Sequence, residues 1–379
     1  MQLLPLTQST HPEPGCFQYA EAPSPKWIIL GINNVCNLHC RMCDVGLGER
    51  ETVFWANLIG DHPQNMSLDL LQEIVRQAAA FPTPPKFALA FTEPLIHPRA
   101  VEFAREIVTH GFHCAITSNG TTLERLADAL VATGVQQLNL SIDGPEAVHN
   151  RIRGGRETFR KLYRGVEALH AAKQRQNTPF PKLTFSFTIT DQNYDQILAF
   201  LKEVVPLQPD HIILSQLNFI TEGMAQRHNA RYTGDLAVTR SNLGEIAPES
   251  FDIETLACEL ERVYAYVAAQ SADFPRLTLV PDFRDPAGLT EYYQDPLTFV
   301  GGRQCTDPWK MLMVRTDGSV IPSHGRCYNV PVGSVREETL PEIWNGPRFT
   351  AFRRTLQEAG GTLPACARCC GIIGKPKEG

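Results

Sequence analysis

The sequence lacks any run of about 18 apolar residues, which excludes a transmembrane helix. It also lacks a basic N-terminal region followed by a long apolar stretch, so its start is not typical of a signal peptide. No strongly basic block occurs and the net charge is −6, whereas proteins that grip a nucleic-acid backbone over a wide face are usually more basic. We therefore expect a cytoplasmic protein that binds neither membranes nor nucleic acids.

Cysteine, in contrast, is unusually frequent, with eleven in 379 residues. Three cysteines fall within eight residues near the start, and five lie in the last 75 residues. Disulfide frameworks belong to small secreted domains, whereas clustered cysteines in a large chain without an export signal more often bind metal or do chemistry. The cysteines are Cys16, Cys36, Cys40, Cys43, Cys114, Cys258, Cys305, Cys327, Cys366, Cys369 and Cys370.

Apolar strands and amphipathic helices alternate between residues 27 and 240. Strands are predicted at 27–32, 87–91, 113–120, 136–144, 182–190 and 210–219, and helices at 67–81, 100–111, 122–134, 158–173 and 194–206. Such alternation implies parallel strands joined by right-handed crossovers. Six repeats fit an open, partial (β/α)6 TIM-like barrel better than a closed eightfold one. In such barrels the chemistry lies at the C-terminal ends of the strands.

The chain divides into four predicted parts. Residues 1–24 form an irregular lead-in, 25–240 the α/β barrel, 241–300 a connecting helix (252–270) and loop, and 301–379 a small C-terminal α+β domain. In the last part we expect a hairpin at 311–321, turning at Asp317 and Gly318, and two helices within 340–361. From Phe274 to about residue 300 we expect a loop rich in Pro and Asp.

The first cysteine cluster has the spacing C-x3-C-x2-C and follows the first predicted strand. Cys36, Cys40 and Cys43 could hold three irons of a 4Fe-4S cluster, which leaves one iron without a protein ligand. An open coordination position is what a catalytic site needs. The alternatives are a zinc knuckle, with His39 nearby as a fourth ligand, and fortuitous buried thiols.

The segment CNLHCRMC resembles the cluster motif of the radical S-adenosylmethionine (SAM) superfamily, and the resemblance extends along almost the whole chain. It implies a partial barrel whose open iron binds the amino and carboxylate groups of SAM. One electron, supplied by a donor such as flavodoxin or ferredoxin, would then cleave SAM to a 5′-deoxyadenosyl radical that abstracts hydrogen from substrate. The cofactor supplies that chemistry, and the protein supplies geometry and excludes water.

The family's methionine-binding GGEP motif follows its second strand, and here FTEP takes its place. Glu93 and Pro94 match the motif, while Phe91 and Thr92 replace the two glycines. The resemblance implies that Glu93 holds the ammonium group of SAM. It leaves open how the backbone approaches SAM where the glycines are missing.

Two further segments resemble the family in the expected order. TSNGT (117–121) resembles the turn after the third strand, which would bring Ser118 and Asn119 near the cofactor. SIDGPEAVHNRIRG (141–154) resembles the fourth-strand segment, which implies that Ser141 and Arg153 bind the SAM carboxylate and that Asp143 orients the site or serves substrate. Taken singly, Glu93, Ser141 and Asp143 could equally be strand-end or turn residues.

Cys305, Cys327, Cys366 and Cys369 have the spacing C-x21-C-x38-C-x2-C. Four thiolates can fully ligate a second 4Fe-4S cluster, and the same pattern could equally be a structural zinc site. The region resembles the SPASM/Twitch auxiliary-cluster domain of radical enzymes. The full SPASM pattern has further cysteines after its CxxC, whereas here only Cys370 follows. The resemblance therefore implies one auxiliary cluster, and two 4Fe-4S clusters in all.

Four cysteines remain outside the two ligand sets. Cys114 lies in an apolar strand and is expected in the core. Cys258, on a predicted helix, and Cys370 are candidate hydrogen-atom donors, while Cys16 is unassigned. By the resemblance, a cluster beyond the substrate would accept an electron and give oxidation, whereas a thiol donor would give epimerisation.

The lead-in is too short for the peptide-recognition domain of peptide-modifying relatives, which favours a small polyol-like substrate such as a sugar, aminocyclitol or nucleoside. The alternatives are a peptide that is crosslinked or epimerised and, more distantly, a non-catalytic metal-binding protein. Segments 220–250 and 282–300 are expected to line the substrate mouth, and 51–64 to form a lid. Thr188, Thr190, Gln216 and Asn218 are strand-end residues expected to point inward. Glu222, His228, Arg231 and Tyr232 are candidates for hydrogen bonds to substrate, and each could equally be a solvated loop residue.

Overall fold

A computed structural model describes residues 21–60, 62–300, 304–323 and 325–369. The strands found in these ranges form one sheet in the order β10-β9-β8-β1-β2-β3-β4-β5-β6-β7. They are β1 (Trp27–Leu30), β2 (Lys86–Leu89), β3 (Cys114–Ser118), β4 (Gln137–Ser141), β5 (Lys182–Ile189), β6 (His211–Gln216), β7 (Arg276–Val280), β8 (Met311–Val314), β9 (Ser319–Ile321) and β10 (Gly333–Ser334). All neighbours from β1 to β7 are parallel, as the alternation of strands and helices predicts.

The helices of the described ranges follow the strands as crossovers or lie in the C-terminal part. They are α1 (Asp44–Leu47), α2 (Val53–Leu58), α3 (Leu68–Ala78), α4 (Ala100–Thr109), α5 (Leu123–Thr133), α6 (Glu146–Arg153), α7 (Thr158–Arg175), α8 (Ile197–Val204), α9 (Glu222–Asn229), α10 (Ile253–Ala268), α11 (Pro286–Gln294), α12 (Leu340–Trp344) and α13 (Pro347–Glu358). None of them is long and apolar enough to cross a bilayer.

Local signals fix several helix ends. The Ser67 hydroxyl accepts a hydrogen bond from the Leu70 amide at the start of α3, which confirms the predicted cap. Gly134 ends α5 at φ 77°, a left-handed conformation that glycine adopts without a steric penalty. The apolar faces of these helices pack on the buried face of the strands, whose other face is half-buried in β1, β4 and β6, which gives the α/β core expected of a partial barrel.

The prediction of a loop from Phe274 to about residue 300 is wrong. The structure places β7 there, paired in parallel with β6, and then helix α11. The Pro and Asp residues of this stretch bound the two elements and do not interrupt them: Asp285 caps α11 and Pro286 is its first residue. The sheet therefore continues beyond residue 240, where the barrel was predicted to end.

Two segments expected at the substrate mouth also contain helices. The expected lid at 51–64 includes α2, whose start is capped by the Thr52 hydroxyl. The polar stretch 220–250 includes α9, capped by Thr221. Both helices are short and weakly amphipathic, so apolar periodicity does not reveal them.

The C-terminal part joins the barrel sheet directly. β8 pairs in parallel with β1, with Trp27 opposite Met311 and Leu30 opposite Val314. The predicted hairpin is confirmed, since β8 and β9 are antiparallel and Gly318 takes a φ of 93° in the turn. The Asn57 side chain of α2 donates to the Gly325 carbonyl oxygen at 2.8 Å, which holds the loop that follows β9 next to the segment that follows β1.

Candidate functional site

The first three cysteines lie on the short segment between β1 and α1. Cys40 is buried, while Cys36 and Cys43 are half-buried. Burial raises the pKa of the Cys40 thiol to about 12; the nearby Arg153 charge opposes this rise, and the neighbouring thiols Cys43 and Cys36 add to it. The thiols are thus close enough to interact, and a bound cation would have to displace their protons.

Close backbone contacts hold this cysteine segment in place. A side chain at Gly46 would put its Cβ 2.6 Å from the Cys40 amide nitrogen, so the segment needs glycine there. Gly154 ends α6 at φ 71°, and a Cβ at this position would lie 2.5 Å from the His39 carbonyl oxygen. The His39 ring is 3.0 Å from the Gly46 carbonyl oxygen, so it is held by the backbone of its own loop.

Glu93 links the ends of β2 and β3. It is 1% exposed, and its carboxylate accepts hydrogen bonds from the Ser118 hydroxyl at 2.7 Å, the Asn119 amide at 2.6 Å and the Leu95 amide at 3.0 Å. Burial raises its pKa, and these donors oppose the rise. A carboxylate offers about four acceptor positions, so three donors leave one for a further partner.

The FTEP departure keeps the backbone conformation that glycine favours. Phe91 has a φ of 88°, which costs a non-glycine residue about 1–2 kcal/mol. The Thr92 hydroxyl donates to the Asn33 carbonyl oxygen at 2.9 Å, and the Asn33 amide donates to the Glu93 carbonyl oxygen at 2.8 Å. The Phe91 ring packs on the apolar group formed by Phe54, Leu58, Met313 and Ile321.

Asp143 and Arg153 form a buried ion pair beside the first cysteines. The Arg153 Nε lies 2.5 Å from the Asp143 Oδ2, and its Nη1 lies 3.7 Å from the Cys40 sulfur. Burial acts to lower the pKa of Arg153, but Asp143 and Cys40 raise it above its usual value. Asp143 also accepts a 2.9 Å hydrogen bond from the Thr188 amide, and Ser141 ends β4 half-buried.

Three of the four C-terminal cysteines of the predicted set line an apolar pocket of about 380 Å³. Cys327, Cys366 and Cys369 line this pocket. Burial raises the pKa of Cys305, and the thiols of Cys366 and Cys327 are close enough to raise it further. Across the described ranges no three Cys, His, Asp or Glu side chains are gathered as a single metal ion would require. A 4Fe-4S cube is larger than one ion and takes its thiolates further apart.

Two buried side chains support this second site. The Arg368 guanidinium donates to five backbone carbonyl oxygens, those of Glu291, Tyr292, Asp295, Thr298 and Ala367, and so ties the terminal CxxC to the end of α11. The Tyr328 hydroxyl lies 3.3 Å from the Cys366 sulfur, and the Tyr328 ring stacks on His228.

Several residues predicted to meet substrate are placed elsewhere or already bonded. His228 is fully buried, with one ring nitrogen at the Leu236 carbonyl and the other accepting from the Ala365 amide, so its predicted substrate role is wrong. The Gln216 side chain accepts from the Tyr293 hydroxyl. Thr190 is buried against Asn193, and the Thr188 amide donates to Asp143. The Tyr232 ring contacts the His228 ring, and Glu222 and Arg231 are exposed.

The cysteines outside the ligand sets fall into three situations. Cys114 is fully buried in β3, as predicted, and burial raises its pKa to about 12. Cys258 is exposed on α10, a helix that packs outside the sheet on α8 and α11, and this placement argues against a hydrogen donor. Cys16 and Cys370 lie outside the described residues.

Two residues near these sites, Arg326 and Asp44, were missed at the sequence level. Arg326 precedes the ligand Cys327, and Asp44 follows Cys43. Asp44 is fully buried and accepts hydrogen bonds from the Ser241 hydroxyl at 2.6 Å and the Asn242 amide at 2.7 Å. Their adjacency to cysteine ligands was the available signal, because a residue next to a ligand is necessarily carried to the site.

Comparison with known families agrees with these two sites. Residues 30–204 match the model of the radical SAM superfamily, and residues 305–370 match the SPASM model, an iron-sulfur cluster-binding domain. The first match therefore contains Cys36, Cys40 and Cys43, and the second contains all four C-terminal cysteines of the predicted set. The radical SAM domain implies SAM and a 4Fe-4S cluster as cofactors.

Relatives match along most of their own length. The tungsten-containing aldehyde ferredoxin oxidoreductase cofactor-modifying protein of Pyrococcus furiosus is 24% identical over 91% of this chain and 87% of its own. Pre-heme d1 synthase of Dinoroseobacter shibae is 24% identical over 96% of this chain and 83% of its own.

Solved structures share the fold. Native anSMEcpe with bound AdoMet and Cp18Cys peptide has a TM-score of 0.58 and 16% identity, covering 94% of this chain and 92% of its own. Streptococcus suis SuiB bound to the precursor peptide SuiA also has a TM-score of 0.58, at 13% identity, covering 92% and 72%. The two family-model matches, and not the shared fold, show that the chain belongs to the radical SAM superfamily and carries a C-terminal SPASM domain.

Proposed function

We propose that this radical SAM enzyme abstracts hydrogen from a small-molecule substrate held between the two cysteine sites and then passes an electron to the C-terminal site. The observation that carries this proposal is the segment 325–328. The Arg326 guanidinium lies 4.9 Å from the centre of the Phe54 ring, in the apolar group against which Cys43 packs, while Cys327 and Tyr328 line the pocket of the other cysteines. A substrate between the sites would meet both.

The two cysteine sets fit two 4Fe-4S clusters. Cys36, Cys40 and Cys43 are soft donors that interact with one another after β1. Of the last four, Cys327, Cys366 and Cys369 line an apolar pocket, and Cys305 is close enough to Cys366 and Cys327 to interact with them. When bound, the first cluster and SAM supply a 5′-deoxyadenosyl radical, with an electron from a donor such as flavodoxin or ferredoxin.

The chain's own residues would position SAM. Ser118 and Asn119 hold the Glu93 carboxylate in place, and that carboxylate has one acceptor position left for the SAM ammonium. Arg153, fixed by Asp143 and extended toward Cys40, would donate to the SAM carboxylate, with Ser141 at the neighbouring strand end.

Two observations bear on the substrate and the outcome. The relatives from Pyrococcus and Dinoroseobacter have names that refer to the modification or synthesis of cofactors, which supports a small-molecule substrate for this chain. From the sequence we expect that substrate to be polyol-like. Cys258 is exposed on an outer helix, which favours oxidation over thiol-dependent epimerisation. The second candidate is a peptide substrate, since the SuiB and anSMEcpe structures hold peptides.

The test is anaerobic reconstitution followed by iron, sulfide and product analysis. We expect about eight irons per chain and 5′-deoxyadenosine on reduction with SAM. Zinc without sulfide would contradict the proposal. Solvent deuterium in the product would indicate a thiol donor, whereas a product oxidised by two electrons without solvent deuterium supports the electron-accepting cluster.

A further inference from the structure

Arg326 lies between the two cysteine sites. On one side, its guanidinium carbon lies 4.9 Å from the centre of the Phe54 ring, and Phe54 belongs to the apolar group against which Cys43 packs. On the other side, Arg326 lines the same pocket as Cys327, Cys366 and Cys369. A substrate that contacted both sites would therefore pass this guanidinium.

The Arg326 guanidinium has an incomplete set of partners. Nη1 donates to the Asn218 Oδ1, but Nε is buried without a hydrogen-bond partner among the described residues. Within the same residues, none of the ion pairs includes Arg326. In contrast, Arg153 is paired with Asp143, and Arg368 donates to five carbonyl oxygens. A poorly paired cation away from water is unfavourable, so this site is suited to an added anion.

The surroundings also hold the guanidinium in one orientation. Its central carbon lies 4.9 Å from the centre of the Phe54 ring, and Asn218 fixes Nη1. Asn218 is itself held by Asn242, whose side chain donates to the Asn218 carbonyl oxygen at 3.0 Å. The edge formed by Nε and Nη2 is thus left as a planar fork, which matches two oxygens of one carboxylate or phosphate.

We propose that Arg326 binds an oxyanion of the substrate, a carboxylate or a phosphate group, between the two cysteine sites. This inference rests on the proposed function, because it places the substrate of that reaction. It makes Arg326 a residue that determines specificity and predicts that the substrate carries negative charge.

The test uses reconstituted, dithionite-reduced holoenzyme and weak anions as probes. Glutarate labelled with ¹³C at its carboxyl carbons, inorganic phosphate and uncharged glutaramide are compared at constant ionic strength. The measurement is the nuclear relaxation that the paramagnetic protein adds to each probe. Titration of each probe against this added relaxation gives its affinity. Arg326→Gln should lower the affinity for glutarate, for phosphate or for both about tenfold, the loss expected for a charged bidentate contact.

The controls separate this role from others. Arg354, exposed on α13, provides the matched variant, and Arg354→Gln should behave like the wild type. Arg326→Lys keeps the charge without the fork and should fall between the wild type and Arg326→Gln. An unchanged affinity in Arg326→Gln, or equal relaxation of glutaramide, would overturn the proposal.

Two further measurements distinguish the ways in which the proposals could fail. Loss of iron from both Arg326 variants would overturn the proposal, because it would assign the charge to a cluster and not to substrate. The formation of 5′-deoxyadenosine by the wild type is measured in the same samples. If the wild type makes none, the proposed function fails, while the relaxation data still decide whether Arg326 binds an oxyanion.

Discussion

The two cysteine sites differ in what surrounds their thiols. Around the first, Glu93, Asp143 and Arg153 place charged groups at the ends of neighbouring strands. Around the second, most of the pocket lining is apolar, and the Tyr328 and Ser323 hydroxyls lie 3.3 Å from the Cys366 sulfur and 3.5 Å from the Cys327 sulfur, respectively. The first site is built to receive a charged small molecule in addition to a cluster, whereas the second can enclose a cluster alone.

This difference is also one of chain geometry. The first three thiols come from one short segment, so glycine contacts and the α6 end suffice to shape it. The second set comes from three separated segments. Cys305 donates its amide to the Gly361 carbonyl at 2.9 Å, Gly325 before Cys327 accepts from the Asn57 side chain at 2.8 Å, and the CxxC is tied to α11. A site assembled from distant segments depends on the rest of the fold, so its loss should affect stability more widely.

The largest expected effect tests whether SAM chemistry belongs to the first site. Cys40→Ala removes the most buried of the three thiols, and we expect formation of 5′-deoxyadenosine to fall below detection. Cys258→Ala is the matched control, because that thiol is exposed on α10. Surviving SAM cleavage in Cys40→Ala would remove the catalytic assignment of this cluster.

The next prediction tests whether the second site holds its own cluster. Cys366→Ala should lower the iron content by about four per chain while the first cluster still forms. Iron and sulfide analysis after reconstitution measures the change. An iron content equal to that of the wild type would contradict an auxiliary cluster at this site.

The charged character of the first site is tested at Asp143. Asp143→Asn leaves Arg153 buried without its carboxylate, and breaking a buried ion pair costs about 3–5 kcal/mol of unfolding free energy. Denaturant unfolding measures the loss. Asp128→Asn is the control, since the Asp128–Arg175 pair is exposed and should contribute little. Equal effects in the two variants would mean that burial does not distinguish these pairs.

The smallest expected effect concerns the Tyr328 hydroxyl, an uncharged hydrogen-bond donor at the second site. Once Cys366 is a thiolate ligand, the Tyr328 hydroxyl must be the donor in their 3.3 Å contact, and hydrogen bonds to ligand sulfur raise cluster reduction potentials. Tyr328→Phe should therefore lower the potential of the second cluster in an electron paramagnetic resonance titration. Tyr232→Phe, whose ring centre lies 5.1 Å from that of His228, is the control and should leave the potential unchanged. A potential that moves equally in both variants would argue against this contact.

The sequence predicts the repeating part of the fold well and the connections poorly. Strands β1 to β6 have apolar runs and their helices have regular periodicity, so local pattern suffices. β7 and α11 were missed because their flanking Pro and Asp residues resemble loop signals, and the pairing of β8 with β1 joins residues that no local pattern relates.

The candidate site divides in the same way. The cysteine spacings and Glu93 could be located because each lies in a recognisable motif. His228 was misjudged because polarity suggests exposure, whereas the structure uses both its ring nitrogens inside the protein. Arg326 could not be weighed, because its significance lies in the missing partner of its Nε, which only the three-dimensional structure reveals.

The pairing of β8 with β1 has a consequence for synthesis on the ribosome. Trp27 emerges early, but its partner Met311 is made only after most of the barrel. At about 5–20 residues per second, that interval lasts from roughly a quarter of a minute to a minute. Throughout it, β1 presents an open edge beside three reactive thiols, a state prone to aggregation. Slower, cooler expression with iron supplied early should therefore favour intact protein over inclusion bodies.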